Sequence, residues 1–144
     1  MKRILYLILI SAALCSCTNK TLIEDVMSTH ENGSKKEVRY FKENKDGSLT
    51  CVRETLYYME GMKYLDGPIF DNKRNGVFET YYKSGKIMSK GTFVNGIREG
   101  EAYTYYENGK VKYQGLYKNG KECGVWKFYD ENGKLEKEVD RDLR

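Results

Sequence analysis

Glycines recur along this chain at a fixed interval of 24 residues. Gly61, Gly85, Gly109 and Gly133 form one series, Gly67, Gly91 and Gly115 a second, Gly76, Gly100 and Gly124 a third, and Gly96 and Gly120 a fourth. Several series in one register mean a stack of copied units, each able to touch only its neighbours. The clearest units begin at Gly76, Gly100 and Gly124, while residues 30–70 keep fragments of the same pattern. Within a unit, apolar and polar residues alternate with period two, the mark of a strand packed on one side. Asp46-Gly47, Ser84-Gly85, Asn108-Gly109 and Asn132-Gly133 supply the positive φ that tight hairpin turns demand. Each unit therefore reads as two antiparallel strands, over 77–82 and 87–93, 101–106 and 111–117, and 125–129 and 134–139. The stretches 96–100 and 120–124 read as glycine-bounded loops. The fold class expected is all-β: an elongated antiparallel meander of hairpin repeats, largely a single-layer sheet, degenerate over 30–70 and regular over 71–139.

Alternation assigns the two sides of that sheet. Phe78, Thr80 and Tyr82 share one side with Ala102, Thr104 and Tyr106 and with Trp126, Phe128 and Asp130. Ile87, Phe93, Val111, Tyr117, Leu135 and Val139 recur on the second strands, and together these residues are expected to be the packed side. The other side carries Glu79, Tyr81, Glu101, Tyr103, Tyr105, Lys127 and Tyr129. Pro68 lacks a backbone donor and should mark an edge, a bend or a bulge.

This architecture explains a composition that otherwise warns of disorder. Beyond residue 16 the apolar share falls from 40% to about 35%, and Leu, Ile, Val and Phe make up only about 19%. Twelve Tyr, one Trp and fourteen Gly fill the deficit. A thin sheet has no thick interior to fill, and broad rings that tolerate partial exposure suit it better than Leu. Without Lys2 and Arg3 the net charge drops from +4 to about +2, too little for a nucleic-acid platform.

The first residues read as an export signal. Met1-Lys2-Arg3 is a positive head, and the apolar run from Ile4 to Leu14 spans only about 16 Å as a helix, too short for a hydrocarbon core of about 30 Å. Leu14-Cys15-Ser16-Cys17 resembles the bacterial lipobox, which implies cleavage after residue 16 and lipidation of Cys17. Its thiolate becomes a thioether, and its freed amino group takes a further acyl chain; several chains anchor durably where one does not. The resemblance places the protein in the bacterial cell envelope. With Thr18 rather than Asp after the lipidated residue, it implies the outer membrane in a two-membrane cell, and otherwise the outer face of the cytoplasmic membrane. Residues 17–29, which include a capping box at Thr21-x-x-Glu24, read as a tether.

The units share the pattern G-x-W-x-x-Y-Y-x-N-G-K-[LV]-x-x-x-G-x-[FY]-x-N-G-[KR]-x-x-G. It resembles the bacterial variant of the MORN repeat, closely over 76–139 and loosely over 30–70. The resemblance implies contact with proteins or lipids, and some bacterial members act as antitoxins or immunity proteins. Asp130 stands where a second Tyr is usual, Val52 where Gly would open the first unit, and Val139 where the mid-unit Gly would fall, so the first and last units read as caps.

Little in the chain points to catalysis. His30 is the only histidine and reads as an exposed turn residue; no histidine-based metal site or triad can be assembled from it. Cys51 and Cys123 lie three periods apart, about six strands or roughly 29 Å, beyond the ~7 Å that a disulfide spans, and read as free turn residues. Glu99, Glu101, Asp130 and Glu131 are carboxylates of the kind any solvated strand carries. Neither cofactor nor metal is expected, and no enzyme. Lys110, Lys112, Tyr113, Lys118, Lys121 and Lys127 suit an anionic head group, although interspersed glutamates oppose it. The expectation is a lipid-anchored, non-catalytic module that binds a protein through Tyr81, Tyr103, Tyr105, Lys127 and Tyr129, with neutralisation of a toxin and binding of phospholipid head groups as alternatives. Tyrosine suits such a surface because one end is apolar and the other bonds water or a partner. The same rings serve equally as a cover for the sheet.

Overall fold

The computed structural model of the chain describes residues 21–142, so the leader and Cys17 lie outside the described residues. Eleven strands follow one another: β1 (Ile23–Thr29), β2 (Lys35–Glu43), β3 (Leu49–Tyr57), β4 (Lys63–Phe70), β5 (Lys73–Arg74), β6 (Gly76–Tyr81), β7 (Ile87–Val94), β8 (Ile97–Tyr105), β9 (Val111–Lys118), β10 (Lys121–Tyr129) and β11 (Leu135–Asp140). They form one antiparallel sheet in the order β1-β2-β3-β4-β6-β7-β8-β9-β10-β11, with β5 on β4, so neighbours in the chain are neighbours in the sheet. The all-β meander read from the repeats is the fold.

From β3 onward two hairpin types alternate along it; the β2–β3 turn, where Gly47 donates to Asn44 O and Asn44 to Ser48 O, has the first type at the end that later carries the second. At one end of the strands the turns begin at His30, Tyr58, Tyr82, Tyr106 and Asp130. In the Tyr82 turn Gly85 donates to Tyr82 O at 2.9 Å and Tyr82 to Lys86 O at 2.9 Å, and the other turns repeat the pattern. Only the glycine has positive φ there (83° at Gly85), so these are type I turns closed by a glycine bulge rather than two-residue turns. At the other end, Asn95-Gly96 and Asn119-Gly120 have positive φ at both positions, as do Asp71-Asn72, the requirement of a type I′ turn. These two-residue turns replace the expected loops at 96–100 and 120–124: Ile97–Gly100 and Lys121–Gly124 are already strand. Gly100 (φ 78°) and Gly124 (φ 61°) are bulges inside it, where pairing jumps from Gly91↔Ala102 to Thr92↔Glu99. Pro68 faces the equivalent bulge at Asn75-Gly76 and accepts the Asn75 N–H at 3.2 Å.

The packed side is organised by one row, Glu54–Gly67–Phe78–Gly91–Ala102–Gly115–Trp126–Val139, whose members pair across strands or, at Gly67–Phe78 and Gly115–Trp126, meet as ring over glycine. Glycine and larger residues alternate, and the aromatic ring of one strand lies over the glycine of the strand before it. A Cβ on Gly67 would fall 2.4 Å from the Phe78 ring, and one on Gly115 2.2 Å from the Trp126 ring. That is how a single layer buries Trp126 to 2% exposure and Phe78 to 4%. Val139 is tolerated where Gly is usual because, among the described residues, β11 is an edge strand and no ring lies over it. Val52 replaces a glycine because β3 accommodates one unpaired residue between Cys51 and Arg53, without positive φ.

Several expectations need correcting. Residues 23–29 of the expected tether are strand β1, paired with β2 from Ile23↔Phe41 to Thr29↔Lys35. Thr21 and Leu22 start no helix, because alternation lets the segment complete the sheet with backbone bonds that a short isolated helix lacks. Ile87 (39%) and Leu135 (44%) are exposed, since each follows a turn beyond the reach of the neighbouring rings. Cys51 lies buried in β3 and Cys123 lies in β10, both free thiols within strands and not turn residues.

Candidate functional site

The face opposite the rings carries the row Asp66–Glu79–Lys90–Tyr103–Gln114–Lys127–Glu138, each member paired across strands with the next. Towards the N-terminus this row becomes a small polar core. Thr55 is 1% exposed and Asp66 5%; the Asp66 carboxylate accepts Arg53 Nε at 2.7 Å and Thr55 Oγ1 at 2.9 Å, with Arg53 Nη2 on its second oxygen and Lys63 Nζ at 3.3 Å. Burial opposes the charge on Asp66, but the Arg53 guanidinium and the Thr55 hydroxyl outweigh it and hold the carboxyl below its ordinary value.

Further along, the same face opens. Tyr81 donates to Glu79 Oε2 at 2.8 Å and Tyr103 to Glu101 Oε2 at 2.7 Å. Burial, reinforced by Glu79, pushes Tyr81 up to about 12; Tyr103 is raised by its bond to Glu101. Tyr103 stacks on Tyr105, with centroids 6.3 Å apart and planes inclined by 16°. Lys90 and Lys127 pair with Glu79 at 3.6 Å and Glu138 at 3.3 Å. Two shallow hollows flank the Glu101–Tyr103 pair. One, of about 130 Å³, is lined by Gln114, Leu116, Val125 and Lys127; the other, of about 270 Å³, by Val77, Lys90 and Thr92.

Of the residues expected to form the binding surface, Tyr103, Tyr105 and Lys127 thus share one patch. Tyr81 lies one unit towards the Asp66 core and Tyr129 at the far end of β10. Sequence reasoning missed Gln114, Leu116 and Val125. Their signal was present, since alternate residues of β9 and β10 share the face of Tyr103.

It also missed a ladder along the turn ends. Tyr58, Tyr82 and Tyr106 each open a turn and donate their hydroxyl to the backbone carbonyl just before the next turn: Tyr81 O at 2.8 Å, Tyr105 O at 2.6 Å and Tyr129 O at 2.8 Å. His30 holds the first position and donates Nε2–H to Tyr57 O at 2.9 Å, a carbonyl being only an acceptor. It is therefore a tie between hairpins rather than a loose turn residue. Asp130 ends the series. Among the described residues no further hairpin stands beside its turn, and its Oδ1 instead accepts the N–H groups of Asn132 (2.9 Å) and Lys134 (2.8 Å) in that turn. The recurrence of Tyr58, Tyr82 and Tyr106 at one interval was the sequence signal for its tyrosine members, whereas His30 bonds across 27 residues and carries no such signal.

Three of the four carboxylates weighed for chemistry have structural partners: Glu99 accepts the Asn119 N–H at 2.8 Å, Glu101 accepts Tyr103, and Asp130 caps its turn. Among the described residues, no three His, Cys, Asp or Glu side chains gather as a metal site.

Comparison with known proteins gives a match to one repeat-family model over part of the chain and two distant structural neighbours. No curated protein matches the chain. Two solved structures of TarM are similar. The first, a point mutant from S. aureus in complex with fondaparinux, alpha-GlcNAc-glycerol and UDP, shows 19% identity over 85% of this chain at a TM-score of 0.37. The second shows 20% identity over 86% of this chain at a TM-score of 0.33. The chain spans about a fifth of the length of those proteins (20% and 22%). Residues 74–95, 98–119 and 122–141, which are the three regular hairpin units of the sheet, match the family described as MORN repeat variant, whose repeats serve in general as protein- or membrane-binding modules.

Proposed function

We propose that this chain is a non-catalytic protein-binding module, held at the bacterial cell envelope through lipid on Cys17 and meeting its partner with the Tyr103 face. The observation that carries the reading is the patch itself. Tyr103 is fixed before binding by its stack on Tyr105 and its bond to Glu101, and it stands between two hollows beside Lys127. A ring already held in place loses little rotamer freedom when a partner covers it, which is the economy that makes tyrosine an interface anchor. The anchoring part of the proposal rests on the lipobox-like Leu14-Cys15-Ser16-Cys17 after a short apolar run. On the family resemblance the narrower partner class is a toxin; a toxin reading frame found beside this gene would support that reading, and a solitary locus would count against it.

Affinity capture of the lipidated protein from its own cells, repeated with Tyr103→Ala and Lys127→Ala, tests the surface. Loss of the same partner from both variants, with the sheet intact by circular dichroism, is expected. An unchanged partner set in both refutes the assignment. Sedimentation of the unlipidated domain with anionic vesicles separates protein recognition from head-group binding, and no co-sedimentation is expected.

A further inference from the structure

On the ring-covered face the regular alternation fails at one point. Gly67 lies under Phe78 and Gly115 under Trp126, but the residue over Gly91 is Ala102, whose Cβ is 3.8 Å from where a Gly91 Cβ would be. A cavity of about 200 Å³ occupies the place of the missing ring, with Gly91 and Ala102 as its floor and Phe78, Phe93, Tyr117 and Trp126 around it. An apolar cavity of about 150 Å³ holds one benzene ring, so this one takes a single ring with a short arm.

Two unpaired donors stand at the cavity. Arg74, one period before Arg98, lies 5.1 Å from the Phe78 ring of its own unit and pairs with Glu54 at 2.8 Å. Arg98 is held between Phe93 (5.5 Å) and Tyr117 (5.1 Å), but its unit offers Ala102 in place of the ring, and among the described residues no carboxylate pairs with it. The indole N–H of Trp126, a residue 2% exposed, has no hydrogen-bond partner among the described residues. A buried donor without an acceptor is uncommon in a native fold and marks a place where an acceptor belongs.

We infer that this cavity is a binding site for a free aromatic carboxylate. The ring lies over Gly91 as Phe78 lies over Gly67, under Arg98 as Phe78 lies under Arg74. The carboxylate meets the Arg98 guanidinium, and the Trp126 N–H is the second donor. Both the ring and its charge are satisfied within the cavity, which distinguishes a free molecule from a side chain on a protein. The site is on the face opposite Tyr103, so it stands apart from the protein-binding reading.

Hydrocinnamate, a phenyl ring on a short acid arm, is the probe. Titrated into the 15N-labelled domain, it is expected to saturate with a Kd of about 1 mM or tighter and to shift the amides of Gly91 and Ala102 most. Cyclohexanepropionate, whose ring is saturated and has no π face, and phenethyl alcohol, which lacks the acid, are each expected to bind about tenfold more weakly. A102W places a tethered ring in the cavity and should abolish binding. R98Q alters an exposed side chain, leaves the fold intact and should weaken binding about tenfold. The assignment is overturned if no saturable shift appears at Gly91, if the two control compounds bind as well as hydrocinnamate, or if R98Q binds unchanged. A capped Phe-Asp dipeptide that binds more tightly than hydrocinnamate overturns the free-molecule assignment in favour of a protein side chain.

Discussion

Gly91 and Gly115 occupy the same register position one period apart, and the structure assigns opposite consequences to one substitution at the two. Neither has positive φ, so backbone strain does not enter. In G115A the new Cβ falls 2.2–2.6 Å from three atoms of the Trp126 ring, well inside contact distance. Trp126 is 2% exposed and boxed in by Tyr113 and Tyr117, with centroids at 6.1 and 5.3 Å, so the ring yields only by disturbing its neighbours. Overpacking of this kind costs about 1–3 kcal/mol. In G91A the Cβ meets only the Ala102 Cβ at 3.8 Å, an ordinary contact. The loss of glycine freedom in the unfolded chain then stabilises by about 0.4–1 kcal/mol. The two variants should therefore differ by roughly 2 kcal/mol or more, or about 1 M in urea midpoint at an m-value near 2 kcal/mol/M. Far-UV circular dichroism in urea is the assay, because it also serves W126A, which removes the only tryptophan. The double variant G115A/W126A should show a coupling of about 1 kcal/mol or more, since the second change removes the atoms that the first strikes. Coincident midpoints for G91A and G115A refute the ring-over-glycine packing.

The turn-end ladder predicts that Tyr82→Phe and Tyr106→Phe each cost about 1 kcal/mol by urea titration, leaving the carbonyls of Tyr105 and Tyr129 without these donors. Acid should destabilise the fold through Asp66: its pKa is lower in the folded state, so its contribution is present above its ordinary value of 3.8 and lost as pH falls below that through the folded value. D66N should cost about 2 kcal/mol at pH 7 and flatten the stability profile below pH 4; an unaltered acid limb contradicts this assignment. Cys123 should react with a thiol reagent many times faster than Cys51, which is 6% exposed, and non-reducing mass mapping should find the two unbridged.

Much of this was legible in the residues. Alternation from Phe78 to Tyr82 and its copies at 102–106 and 126–130 carried strand identity, and glycine after Ser84, Asn108 and Asn132 marked the hairpin ends. Strand limits near Gly100 and Gly124 were not legible, because a glycine inside a strand bulge and a glycine in a turn look alike in sequence and differ only in pairing. Strand β1 was hidden because a polar edge strand and a tether share a composition. Residues such as Glu24 and Asp25 become strand only through the backbone of β2 beside them. Of the expected binding surface, alternation placed Tyr103, Tyr105 and Lys127 on one face. It said nothing of the Glu101 and Glu79 hydroxyl bonds that fix Tyr103 and Tyr81, which depend on rotamers and not on spacing.

Periodicity alone thus determined the antiparallel meander, its 24-residue unit and the two faces, because a strand's side-chain period and a turn's need for positive φ are local properties of the chain. Only the tertiary structure decided why the pattern departs where it does. Among the described residues, Asp130 stands in place of Tyr where no further hairpin offers a carbonyl to a hydroxyl, and Val139 stands in place of Gly where no ring covers it. Ala102 leaves Gly91 uncovered, and the resulting cavity exists only once Phe78 and Trp126 are brought to either side of it. Each of these depends on what the next strand presents, which is a property of pairing and not of any one segment.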